Sequence, residues 1–100
     1  MKREIFNQYV DRIVNLFMIS KDDFFTKTKK RSCVDARHLL YYVCYHRNMR
    51  VRYIQDYMKE NGYDISHSSV LHGISKMKNE VEKDVDYKPI LNKLNQKHYV

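Results

Sequence analysis

Apolar residues recur at helical spacing from the beginning of the chain. Over residues 4–18 they follow the steps of an amphipathic helix: Phe6, Tyr9, Val10, Ile13, Val14 and Phe17. Ser20 followed by Asp23 is typical of a helix-capping signal, which predicts a short second helix over residues 21–25. We expect the two phenylalanines of that helix to anchor it to the core.

Two further helices are predicted after residues 26–32, a charged segment that we expect to form a basic loop. The third helix, over residues 34–46, carries an apolar stripe: Leu39, Leu40, Val43 and Cys44. The fourth, over residues 51–61, turns a second stripe inward: Val51, Ile54, Tyr57 and Met58. Asn61-Gly62 is the clearest stop signal, because glycine readily adopts the left-handed conformation that caps a helix.

A fifth helix is expected to begin at a cap formed by Ser66 or Ser68 and to end near Asp84. Its predicted core stripe consists of Val70, Leu71, Ile74, Met77 and Val81. Pro89 fits the first turn of a last helix, whose packing residues are Ile90, Leu91 and Leu94. No stretch alternates as a strand does, so the predicted fold class is all-α, with about six helices in a single domain over residues 1–100.

Composition supports a small helical domain. Two glycines and one proline leave little turn chemistry for a β fold, and 43% of the residues are hydrophobic. No apolar run approaches the length of about 18 residues that spans a bilayer, and the N-terminus lacks a signal-peptide core. Cys33 and Cys44 are expected to stay reduced, because their positions on one helix would be about 16 Å apart. We therefore expect a cytoplasmic protein that does not contact membranes.

Positive charge is concentrated in one window of the chain. The net charge is +7, and the basic residues between positions 27 and 52 account for it: Lys27, Lys29, Lys30, Arg31, Arg37, Arg47, Arg50 and Arg52. Asp35 is the one acid in this window, whereas acids balance bases elsewhere. Such a distribution is typical of a surface that binds a polyanion.

The fourth helix, its glycine-containing turn and the fifth helix make a helix-turn-helix candidate. The start of the second helix in that motif enters the DNA major groove, and here it would present four polar side chains to base edges: Ser66, His67, Ser68 and Ser69. The alternative function of a serine at this place is helix capping, which explains one of them.

Other basic residues are candidates for contacts with the DNA backbone. Arg50 and Arg52 begin the fourth helix and Arg37 lies near the start of the third, where each is expected to grip phosphate. The loop residues Lys27, Lys29, Lys30 and Arg31 are expected to follow the backbone or enter the minor groove. Lys76, on the fifth helix, is a further backbone candidate.

Signals for catalysis and metal binding are missing from the sequence. Gly62 and Gly73 are too few for a phosphate-binding glycine loop, and no nucleophile or carboxylate pair has a pocket-like context. His67 and His72 would lie about 140° apart on a helix, so they do not share a metal, and we expect His72 to pack or to hydrogen-bond. The sequence predicts no enzyme activity, no metal and no cofactor.

Two motifs resemble the C-terminal DNA-binding domain of the bacterial replication initiator DnaA. The sequence Val-Asp-Ala-Arg-His-Leu over 34–39 resembles the family's V-x-A-R-x-hydrophobic helix start. The sequence His-Ser-Ser-Val-Leu-His over 67–72 resembles its D-H-T-T-V-L-H signature. Together with the upstream helices and basic run, the resemblance covers nearly all of the chain.

The resemblance implies a fold of the Trp repressor type and sequence-specific binding of double-stranded DNA. It implies base contacts from His67, Ser68 and Ser69, and entry of a loop residue such as Lys29 into the minor groove. Ser66 replaces the family's aspartate, and the serines lack the threonine methyl groups that can contact thymine. The turn between the fourth and fifth helices is also about four residues longer than in the family, so we do not expect the initiator's own recognition sequence.

The resemblance does not extend to the initiator's ATPase module. We therefore expect a replication accessory or a transcription regulator, monomeric by default, in the cytoplasm of a bacterial or phage-infected cell. Its expected partners are double-stranded DNA and a replication or transcription protein. Two alternatives stay open on the same fold. One is a protein-interaction module with a tyrosine-rich surface, and the other is a basic protein that binds nucleic acid non-specifically.

Overall fold

The computed structural model describes residues 1–94, and this range is all-helical, as predicted. Six helices follow one another without a strand among the described residues: α1 (Lys2–Phe17), α2 (Lys21–Phe24), α3 (Arg31–His46), α4 (Val51–Glu60), α5 (His67–Lys83) and α6 (Tyr87–Leu94). All six lie close to the positions predicted from the sequence.

Helix α3 lies at the centre and packs against α1, α2, α4 and α5. Its fully buried side chains are Cys33, Ala36, Leu39, Leu40 and Cys44. Both cysteines are free, which confirms the prediction that they do not bridge. Burial raises the pKa of the Cys44 thiol, because the thiolate would lose its hydration inside the core.

Several helix ends follow the predicted local signals. The Ser20 hydroxyl accepts a hydrogen bond from the Asp23 N–H at 3.0 Å and caps α2. Gly62 has a φ of +86° just after α4, as predicted for a left-handed cap. The Tyr63 N–H donates to the Met58 carbonyl at 3.0 Å and completes that cap. Pro89 lies in the first turn of α6, also as predicted.

Helix α3 begins three residues before its predicted start, at Arg31 rather than Val34. The charge of residues 26–32 predicted a loop there, because charged side chains are rarely buried in a core. Burial of Cys33 outweighs this effect by fixing the first turn of α3 against the core. The basic loop is correspondingly shorter than the sequence predicts.

Leu71 was predicted to be a core residue, and this is wrong, because it is 45% exposed. Helix α5 instead presents Val70, Gly73 and Met77 to the interior. At Gly73 the helix backbone lies so close to α3 that an added Cβ would be 2.7 Å from a ring carbon of Tyr41. This close approach orients α5 and leaves Leu71, about 100° from Val70 around the helix, outside the core.

Candidate nucleic-acid interface

Two hydrogen-bonded serines form the N-terminal cap of α5. The Ser66 hydroxyl accepts from the Ser69 N–H at 3.1 Å and donates to the Ser69 hydroxyl at 2.9 Å. Ser66 is therefore the cap that the sequence left open between Ser66 and Ser68. Its hydroxyl is committed to the helix start, whereas the hydroxyl hydrogen of Ser69 remains able to donate.

His67 and Ser68 occupy the first two positions of α5, and both are exposed. Neither side chain hydrogen-bonds to another residue in the described range. Imidazole and hydroxyl groups can each donate and accept, so both retain the capacity to bind a ligand. The structure thus gathers the predicted base-contacting residues on one exposed helix end.

A groove of about 570 Å³ runs between the basic loop, α3, the α4–α5 turn and α5. We call it the loop–helix groove, and its walls come from Lys27, Thr28, Lys29, Val34, Arg37, His38, Tyr41, Tyr63, Ile65, Ser68, Ser69 and His72. It brings the predicted minor-groove loop and the predicted recognition helix into one concave surface. These two segments are some 40 residues apart in the sequence.

The basic loop is docked against the α4–α5 turn. The Lys27 ammonium donates to the Asp64 carbonyl and lies 4.4 Å from the ring centroid of Tyr63. Lys29 and Lys30 are exposed, and their ammonium groups form no ion pair or hydrogen bond with the described residues. Lys27 therefore fixes the loop to the α4–α5 turn, whereas Lys29 and Lys30 remain available to a polyanion.

Arg37 lies inside the molecule, which corrects its expected place on a phosphate-gripping surface. It is 4% exposed, and its guanidinium donates to the carbonyls of Asp23, Phe24, Thr26 and Thr28. It also lies 4.9 Å from the Tyr63 ring centroid. These four hydrogen bonds fix the end of α2 and the basic loop to α3.

The remaining predicted backbone residues lie outside the loop–helix groove. Arg50 caps α4 by position and Arg52 lies in its first turn, and both are exposed, without an ion pair to a described residue. Arg31 pairs with Asp35 at 3.3 Å. Lys76 lines a smaller neighbouring groove together with Arg31.

Two histidines meet at the edge of the loop–helix groove. The ring centroids of His38 and His72 are 6.1 Å apart in an edge-to-face arrangement. The sequence predicts that His72 packs or hydrogen-bonds. In the structure His72 is exposed, and its ring lies edge-to-face against the ring of His38. Burial, and then the charge of His72, lower the pKa of His38, which favours its neutral form.

Sequence reasoning did not single out His38, Tyr41 or Tyr63 as groove residues. His38 and Tyr41 are one turn apart on α3, and both approach Gly73 of α5. A glycine inside an otherwise regular helix is the one local signal of such a close approach. Its partner on α3 depends on tertiary packing, so the sequence pattern alone does not name it.

Comparison with known protein families, curated proteins and solved structures gave no match to this chain. The likeness to the initiator domain therefore stays a prediction that depends on the two motifs quoted above. Within residues 1–94, no helix has the length and apolarity required to cross a membrane. No group of three or more histidine, cysteine, aspartate or glutamate side chains in that range is arranged to hold a metal ion.

Proposed function

We propose that this chain binds double-stranded DNA sequence-specifically and acts as a replication accessory or transcription regulator without ATPase activity. In this proposal α5 enters the major groove, and the loop over residues 27–30 contacts the adjacent backbone or minor groove. The loop–helix groove is the observation that carries the proposal. It combines unpaired positive charge with exposed polar groups at a helix start, as DNA recognition requires.

The proposed role of each candidate residue follows from its exposure and its hydrogen bonds. Lys29 and Lys30 supply attraction to phosphate, because no acid in the described range neutralises either of them. His67, Ser68 and Ser69 supply the base contacts, because their polar groups face solvent at the start of α5. Ser66 is assigned to capping and Arg37 to the loop, so neither belongs to the proposed contact surface.

Selection of duplexes from a random pool, followed by binding measurements over a range of salt concentrations, tests the proposal. We expect one short motif to be enriched and His67→Ala to weaken binding to that motif more than binding to random duplex. His46→Ala is the matched control, since His46 is an exposed histidine at the other end of α3. It should leave both affinities unchanged.

The loop is tested by replacing Lys29 and Lys30 together with alanine. If both contact phosphate, the slope of log K against log salt should fall by roughly two, because each phosphate contact contributes about 0.9. The same double change at Lys88 and Lys93, which are exposed on α6, serves as a charge-matched control.

The outcomes separate the proposal from its alternatives. Equal affinity for all duplexes, with a steep salt dependence, would favour a non-specific basic protein. No binding to duplex at low salt would refute DNA binding altogether. It would leave the protein-interaction module, with its exposed Tyr45 and Tyr53, as the better hypothesis.

A further inference from the structure

Leu71 is an exposed apolar residue on the proposed recognition helix. It is 45% exposed, although it lies between the buried residue Val70 and the groove residue His72 in sequence. The other large hydrophobic residues that are strongly exposed in the described range lie outside α5: Met1, Met18, Tyr45, Tyr53 and Val85. About half of this apolar side chain is therefore available for contact with a partner.

The helix geometry places Leu71 on the surface that would face DNA. At 100° per residue, Leu71 lies about 40° around α5 from His67 and about 60° from Ser68. It is one turn further along, about 6 Å from His67 and 4.5 Å from Ser68 measured along the axis. A helix that enters the major groove by its first turn brings the next turn on the same face to a neighbouring base pair.

The chemistry of this face then defines the partner of Leu71. His67, Ser68 and Ser69 present polar atoms at this helix end, and none of them carries a methyl group. The apolar group exposed in the major groove is the C5-methyl of thymine, and an apolar side chain recognises it by contact. We propose that Leu71 packs against a thymine methyl group and makes thymine preferred at one position of the target. This inference rests on the proposed function.

A single exposed leucine is ordinary on a protein surface, so its location carries the argument. Val85 shows the contrast: it is 79% exposed but follows α5, in the connection to α6. Leu71 lies one turn beyond two available polar side chains, on the helix that also borders the loop–helix groove. Val85 is therefore the matched control for loss of an exposed apolar side chain.

The test replaces thymine by uracil, which removes the methyl group and keeps the base-pairing edge. Each thymine of the selected motif is replaced in turn, on both strands, and the dissociation constant is measured for the unmodified protein, Leu71→Ala and Val85→Ala. At one position we expect uracil to weaken binding by the unmodified protein by about fourfold, the effect of exposing one methyl group. Leu71→Ala should bind the thymine and uracil duplexes equally at that position, whereas Val85→Ala should retain the fourfold difference.

The result separates this inference from the function on which it rests. An enriched motif that tolerates uracil at every position, or that contains no thymine, overturns the contact of Leu71 and leaves sequence-specific binding intact. The same conclusion follows if Leu71→Ala keeps the full response to uracil. If no motif is enriched, both proposals fall together, and the selection alone shows it. Circular dichroism melts of the variants confirm that each one is folded, as expected for changes at exposed positions.

Discussion

Replacement of Arg37 by methionine should strongly destabilise the protein. The change keeps an unbranched side chain of similar length but removes every donor from a residue that is 4% exposed. The Phe24 carbonyl loses a partner at 2.7 Å, and the carbonyls of Asp23 and Thr28 each lose one at 3.1 Å. The fourth bond, to Thr26, is lost as well.

The magnitude depends on how far water can replace the guanidinium. The Phe24 carbonyl is buried with its bond, and leaving such an acceptor unsatisfied costs about 1–3 kcal/mol. The other three bonds are only partly buried, so water reaches those carbonyls once the loop relaxes, at about 0.5–1 kcal/mol each. Loss of the contact with the Tyr63 ring adds about 0.5–1 kcal/mol. The expected total is about 3–7 kcal/mol, a large part of the stability of a small domain.

Urea denaturation followed by far-ultraviolet circular dichroism measures this loss. The stability of Arg37→Lys should lie between that of the unmodified protein and that of Arg37→Met, because lysine retains the charge but cannot reach all four carbonyls from one ammonium group. Arg31→Met is the control: its side chain is 87% exposed, and the midpoint of unfolding should not move. A loss below about 1 kcal/mol for Arg37→Met would refute the structural role. Unchanged stability combined with weaker DNA binding would instead restore the phosphate contact predicted from the sequence.

Three further changes probe the elements that shape the loop–helix groove. Gly73→Ala should destabilise the protein by about 0.5–2 kcal/mol in urea denaturation, because the new methyl group would lie 2.7 and 2.8 Å from ring carbons of Tyr41 and His38. This overpacking exceeds the gain in helix propensity. A more stable variant would contradict the close packing of α3 on α5. His38→Gln should reduce the loss of stability below pH 6.5. The pKa of His38 is lowered by burial and by the neighbouring imidazole, so the unfolded chain binds a proton at a higher pH than the folded protein does. Stability is therefore lost as the pH falls from the unfolded pKa toward the folded one, and glutamine removes this contribution. An unchanged stability–pH curve for that variant would count against this linkage. Ser66→Ala should cost about 1 kcal/mol through loss of the cap, whereas Ser68→Ala should leave the thermal midpoint unchanged, and equal effects would argue against a single capping serine.

Local signals in the sequence predicted much of the fold, because helix periodicity and caps depend on neighbouring residues. The stop at Gly62 and the cap at Ser20 are examples, and both depend on backbone chemistry within a few residues. The errors arose where distant packing decides. Leu71 matches the helical apolar pattern of α5, but the contact of Gly73 with α3 fixes the rotation of the helix and excludes Leu71 from the core.

The candidate site was predicted by residue type and only partly by role. His67, Ser68 and Ser69 are exposed at the start of α5, as a base-contacting set requires. Ser66 and Arg37 were grouped with the contact residues because their chemistry suits DNA. A side chain that can bind a ligand can equally bind its own backbone, and burial distinguishes the two cases only in three dimensions.

The burial of Arg37 changes the meaning of the basic window. Its guanidinium donates to two carbonyls at the end of α2 and two in the loop that follows, and that loop carries Lys29 and Lys30 at the surface. A disordered loop would lose conformational entropy when it bound DNA, and that cost would weaken binding. If the chain binds DNA as proposed, part of that cost is met during folding, because Arg37 already holds the loop in place. Under the proposed function, Arg37 would affect DNA affinity without touching DNA, through the position of Lys29 and Lys30, whose ammonium groups have no ion pair within residues 1–94.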